Sequence, residues 1–215
     1  MRASRGRAGQ APVADSLTAA VTRRSFIRGL GTTAVSAATL SANSVAAELA
    51  QARAEGPRGP HATPVTLSIN GERRTFELEP RVTLLEALRL HAGLTGPKEA
   101  CDRGACGACT VLLNGVPVYA CMMLAIDAEG RAITTVEGLS RTGATPVQQA
   151  IVEQDGLQCG YCTPGFVMSL TALLQSQPRP GEDDVRKACA GHLCRCGSYP
   201  RVFAAALAAS RGKPA

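Results

Sequence analysis

Eight of the nine cysteines in this 215-residue chain fall into two sets of four. The first set reads CDRGACGAC, with Cys101, Cys106 and Cys109 in one short loop and Cys121 following after eleven residues. This is C-x4-C-x2-C with a distant fourth cysteine, the plant-type spacing that wraps a loop around a [2Fe-2S] cluster. The second set is Cys159 and Cys162, then, after 31 residues, Cys194 and Cys196. Thiolates converging on two irons in each set would make the chain a carrier of single electrons.

A cluster loop must bring its backbone close to the metal, and Gly104 and Gly107 supply small residues there that tolerate positive φ. Zinc is the competing occupant. Structural zinc sites usually pair one C-x2-C with another or with histidines, and neither set has that form. A Rieske centre replaces two cysteines by histidines, but His61, His91 and His192 are the only histidines and none is paired with cysteines in that way. Cys189 stands outside both sets and reads as a residue buried on a helix.

The elements that must position these residues change character along the chain. Val65, Leu67 and Ile69 alternate toward one face, and Asn70-Gly71 then leads into a second strand over 75–79, a strong hairpin signal. Thr83-Leu84-Leu85-Glu86 is a capping box opening a helix to about His91. Strands follow at 110–113, 116–118 and 132–136. From about Gly143 the pattern is helical, with runs at 146–155, 164–176, 182–190 and 199–210, and Thr145-Pro146 and Thr163-Pro164 each offer an N-cap followed by proline. Asp183 and Asp184 fit a solvated helix N-terminus better than an acid/base pair. The expectation is an α+β chain: a β-grasp plant-type ferredoxin domain over 64–142, then a small four-helix [2Fe-2S]-binding domain over 143–210. The second cysteine set would sit where helix N-termini meet, whose dipoles favour an anionic reduced cluster.

At this point the motifs become specific. KEACDRGACGACTVLLNG at 98–115, QCGYCTPG at 158–165 and GHLCRCGSYP at 191–200, in this order, resemble the iron-sulfur subunit of the molybdenum hydroxylases, the xanthine dehydrogenase and aldehyde oxidoreductase family. The resemblance covers roughly residues 63–209. Ala100 stands where the family usually has Gly, and His192 where it usually has Asn; neither change removes a ligand. The resemblance implies that Cys101, Cys106, Cys109 and Cys121 hold one [2Fe-2S] cluster and Cys159, Cys162, Cys194 and Cys196 a second. It implies a large partner subunit with a molybdenum-pterin cofactor, where an aldehyde or heterocycle is hydroxylated with water. Electrons would pass one at a time through the two clusters to an FAD-binding medium subunit, or to a cytochrome. The second cluster would lie nearer the molybdenum, and Gln158 would contact the pterin.

The N-terminus bears on location. Thr22-Arg23-Arg24-Ser25-Phe26-Ile27-Arg28 has the pattern of a twin-arginine export signal, followed by an uncharged stretch from Gly29 to Ala47 with small residues at Ser44, Ala46 and Ala47. We therefore read 1–47 as a signal segment and 48–63 as a linker. Cysteines in an exported chain would ordinarily suggest disulfides, but the twin-arginine machinery carries folded proteins already loaded with cofactor. A leader on this subunit, with VTLLEALR at 82–89 and ITTVEGL at 133–139, is similar to periplasmic aldehyde oxidoreductases, so a periplasmic location is expected. The alternatives are the same kind of subunit in another exported hydroxylase, acting on N-heterocycles with a cytochrome acceptor, or a binding module stapled by zinc or disulfides.

Composition limits the other classes. The net charge of +6 rests largely on Arg2, Arg5, Arg7, Arg23, Arg24 and Arg28; from position 48 onward 17 basic residues face 16 acidic ones. With no Trp, three Tyr and four Phe there is little for base stacking, and nucleic-acid binding is disfavoured. No P-loop, nucleophile elbow or G-x-G-x-x-G fingerprint is present, which assigns substrate chemistry to a partner.

Overall fold

The computed structural model describes residues 59–212. The expected signal segment 1–47, residues 48–58 of the expected linker and residues 213–215 lie outside the described residues, while residues 59–212 form one compact unit.

Strand β1 (Thr63–Ile69) runs antiparallel to β2 (Glu72–Leu78), in register from Thr63↔Leu78 to Ile69↔Glu72. Asn70 and Gly71 make the connection with φ of 52° and 84°, the two positive values a type I′ turn demands. The strand thus begins at Glu72 rather than at position 75, because a two-residue turn lets pairing resume at once. A second hairpin joins β3 (Thr110–Leu113) to β4 (Val116–Tyr119) through Asn114-Gly115, with φ of 51° and 82°. Strand β5 (Ala132–Thr134) lies between them, parallel to β1 and antiparallel to β3, giving the sheet order β2-β1-β5-β3-β4. This mixed sheet is the β-grasp of the expectation.

The strand expected over 132–136 stops at Thr134. Thr135 turns its N–H to Asn70 Oδ1 at 2.9 Å and accepts Asn70 Nδ2 at 3.0 Å through its hydroxyl, so a side-chain pair replaces the ladder. The Thr83 capping box is present and opens helix α1 (Leu84–Glu86), which widens into a π turn over Ala87–His91, where Ala92 N–H reaches back to Ala87 O at 2.9 Å. The wider turn keeps Ala87 and Leu88 buried while Arg89 reaches the carbonyls of Thr95 at 3.2 Å and Pro97 at 2.8 Å. That arginine holds the approach to the first cysteine loop.

After the one-turn helix α2 (Val136–Leu139) come α3 (Pro146–Glu153), α4 (Thr163–Ser176), α5 (Glu182–Cys189) and α6 (Tyr199–Arg211). Thr145 caps α3 with Gln148 as its reciprocal partner. Helix α4 is buried at every residue from Gly165 to Ala172, as a central helix is. Its Met168 and Ala172 pack with Leu112 of β3, which joins the helical half to the sheet. Cys189 sits 2% exposed in the core among α3, α4 and α6, where burial pushes its thiol up to about 12. Asp184 accepts the Gly181 N–H and Gln177 Nε2, each at 2.9 Å, and so serves the start of α5 rather than acid/base chemistry.

Candidate metal centre

The loop carrying Cys101, Cys106 and Cys109 is closed at its neck by Lys98 N–H to Ala108 O at 3.0 Å. Within it Asp102, Gly104 and Gly107 take φ of 50°, 69° and 71°. These left-handed turns point amides inward: Ala105 N–H lies 3.3 Å from Cys101 Sγ, and Gly104 N–H lies 3.3 Å from Sγ of Cys121, which arrives on a 3-10 turn at Ala120–Met122. The backbone N–H of Arg103, opposed by slight burial and helped by Cys106 and by the Ala105 and Cys106 amides, lowers the Cys101 thiol to about 7. Cys109 is driven the other way, to about 12, by burial and then by the neighbouring Cys121 and Cys106 despite a favourable Cys121 backbone contact. Coordination to a cation such as iron would stabilise a thiolate in that place. The donor set and its amides fit a [2Fe-2S] cluster.

The second set assembles from two turns. Cys162 is the N-cap of α4, where Phe166 N–H reaches its carbonyl at 3.2 Å; Thr163, expected as the cap, is the first helical residue because the helical bonding starts one residue earlier. Cys194 and Cys196 lie just before Ser198, the N-cap of α6. Two helix N-termini therefore face this set, as expected. Burial, then the adjacent Cys194 and Cys159, push Cys162 up to about 12. At Cys194 burial pulls the same way, but the Ser198 amide, Cys162, the Ser198 hydroxyl and the Cys196 amide together outweigh it and lower the pKa. Cys159, Cys162 and Cys194 line an open recess of about 460 Å³, together with Tyr161, Leu193 and Cys106 of the first set. Among the described residues no three Cys, His, Asp or Glu side chains are grouped to hold a single ion.

Gln158 is exposed beside the equally exposed Cys159, and its Nε2 lies 3.5 Å from Cys196 O. Ala100 lines the recess rim. His192, which stands where the family usually has Asn, is 4% exposed at the seam between the two cysteine sets. Its Nε2 lies 3.2 Å from Thr110 Oγ1 and 3.1 Å from Ser169 Oγ, and its ring lies 5.0 Å from that of Phe166. Burial, against a weaker pull from the Gly165 backbone, lowers its pKa to about 4, so the ring is neutral. No local motif announces this role, because every partner is remote in sequence.

A β-grasp with one four-cysteine set, packed on a helical unit with another, defines a class: iron-sulfur electron carriers. Residues 67–132 match the 2Fe-2S iron-sulfur cluster binding domain and residues 135–207 the [2Fe-2S] binding domain. The chain is 39% identical to the aldehyde oxidoreductase iron-sulfur-binding subunit PaoA of Escherichia coli O157:H7 over 86% of each chain. It is 44% identical to the nicotine 6-hydroxylase small subunit of Paenarthrobacter nicotinovorans, over 66% of this chain and 87% of that one. Among solved structures it matches quinoline 2-oxidoreductase from Pseudomonas putida 86 with a TM-score of 0.68 and 40% identity, over 70% of this chain and 95% of that one. The chain belongs to the iron-sulfur subunits of the molybdenum hydroxylase family, and its cofactor is of the [2Fe-2S] type.

Proposed function

We propose that this chain is the electron-transfer subunit of an exported molybdenum-dependent aldehyde oxidoreductase. Cys101, Cys106, Cys109 and Cys121 hold one cluster, and Cys159, Cys162, Cys194 and Cys196 the other. Each cluster, when bound, accepts and releases one electron. The chain's own residues supply the thiolates, the amides that stabilise negative sulfur, and the seam that joins the two sites. The observation that carries this reading is the Leu193 N–H to Cys106 O hydrogen bond of 3.0 Å, which ties a residue beside one ligand set to a member of the other.

The open recess beside Cys159, Cys162 and Cys194 is the side that receives electrons from the molybdenum-pterin subunit, with the exposed Gln158 at the pterin contact. The first cysteine loop faces the FAD-binding subunit. Aldehyde is the favoured substrate class because the match to the Escherichia coli aldehyde oxidoreductase subunit covers 86% of this chain. That is more than residues 59–215 alone could supply, so the likeness extends into the N-terminal segment. The match to the nicotine 6-hydroxylase subunit covers 66%. The twin-arginine pattern at Arg23 and Arg24 supports export to the periplasm, with this subunit carrying the assembled complex.

Coexpression with the adjacent genes tests the assembly. Purification through this chain should bring down molybdenum and flavin subunits and aldehyde-dependent dye reduction. Replacing Arg23 and Arg24 by Lys should leave all subunits in the cytoplasm. Arrival of the large subunit in the periplasm with that variant would refute the carrier role in export, and zinc without iron would refute the electron-transfer role.

A further inference from the structure

The peptide between His192 and Leu193 is clamped at both of its ends. Its N–H donates to Cys106 O at 3.0 Å, and its carbonyl accepts the Tyr199 hydroxyl at 2.9 Å. The same tyrosine oxygen accepts the Cys194 N–H at 2.9 Å. A continuous route therefore runs from Cys106 Sγ through the Cys106 carbonyl, across one hydrogen bond to the Leu193 amide, and along the backbone to Cys194 Sγ. The plane of this one peptide decides whether that route is closed.

The His192 side chain sets the plane from the other side. Thr110 gives its single hydroxyl proton to Gly107 O at 2.6 Å, so toward His192 it can only accept. The imidazole proton is thus on Nε2, shared between Thr110 Oγ1 and Ser169 Oγ. Nδ1 is buried without a hydrogen-bond partner among the described residues, a cost retained for the contact made at Nε2. The space beneath the ring is closed by backbone: a Cβ on Gly107 would meet His192 Cδ2 at 2.7 Å and Gly191 O at 2.5 Å, and one on Gly165 would collide with Gly107 O. The ring therefore anchors the turn to β3 and to α4 at once.

We propose that His192 is a positioning residue for electron passage between the two clusters, holding the Cys106–Leu193 hydrogen bond closed by fixing its peptide to Thr110 and Ser169. The proposal rests on the two-cluster reading above. One electron crosses the bridge in each transfer, and no bond is made or broken.

The test uses the full chain coexpressed with its partners. In His192→Ala, which removes the donor and the ring, hydrogen-deuterium exchange at the Leu193 amide should quicken by about tenfold. Electron equilibration between the clusters after pulse reduction should slow, with iron content at the wild-type level. His192→Asn, which keeps one donor, should lie between wild type and Ala on both readouts. Wild-type exchange and equilibration in both iron-loaded variants would overturn the proposal. Should the Ala variant fail to retain iron, the Asn variant decides: intermediate exchange supports the role and wild-type exchange refutes it. Failure of the two-cluster reading is seen separately, as a wild-type chain holding fewer than about four irons.

Discussion

Cys121 lies outside the local loop motif, yet the fold brings its sulfur against that loop. It is 7% exposed, arrives after the β3-β4 hairpin, and receives the Gly104 amide at 3.3 Å. Its replacement by Ser should lower bound iron from about four to about two per chain and remove one of two reduced-cluster signals. Full iron content in that variant would remove Cys121 from the ligand set. The spacing of the cysteines and the left-handed glycines at 104 and 107 were legible from the chain alone, because both are local requirements of a cluster loop. His192 was not legible as a connector. Its partners Thr110 and Ser169 lie in other elements, and their convergence depends on how α4 packs on β3.

At the scale of elements, capping and turn chemistry were the most readable signals. The Thr83 capping box, the Thr145 N-cap and the Asn70-Gly71 turn formed as expected, Gln148 adds a reciprocal bond at Thr145, and Asn114-Gly115 repeats the same turn chemistry between β3 and β4. What escaped was set by tertiary contacts: the π turn at Ala87–His91 answers the pull of Arg89 on the loop carbonyls, and Thr135 leaves the sheet to pair with Asn70. The element that matters most for the site is α4, since it caps one cysteine set at Cys162 and packs on the sheet through Met168. Met168 is fully buried. Met168→Ala should therefore cost about 2–5 kcal/mol in urea unfolding of the iron-loaded chain. A cost under about 0.5 kcal/mol, the range of surface substitutions, would mean that the contact of α4 with β3 does not hold the halves together.

The whole molecule is an α+β iron-sulfur subunit, and its place in a larger oxidoreductase follows from family membership. Its basic character is concentrated in the N-terminal segment, while the remainder is nearly balanced. Two separate one-electron centres in one chain, joined through the His192–Leu193 peptide, are what the proposed relay requires. Low-temperature EPR of the dithionite-reduced chain, taken with its iron and acid-labile sulfide content, tests for them. Two distinguishable signals of equal spin with about four irons and four sulfides per chain are predicted. A single signal with about two irons, or zinc in place of iron, would contradict it.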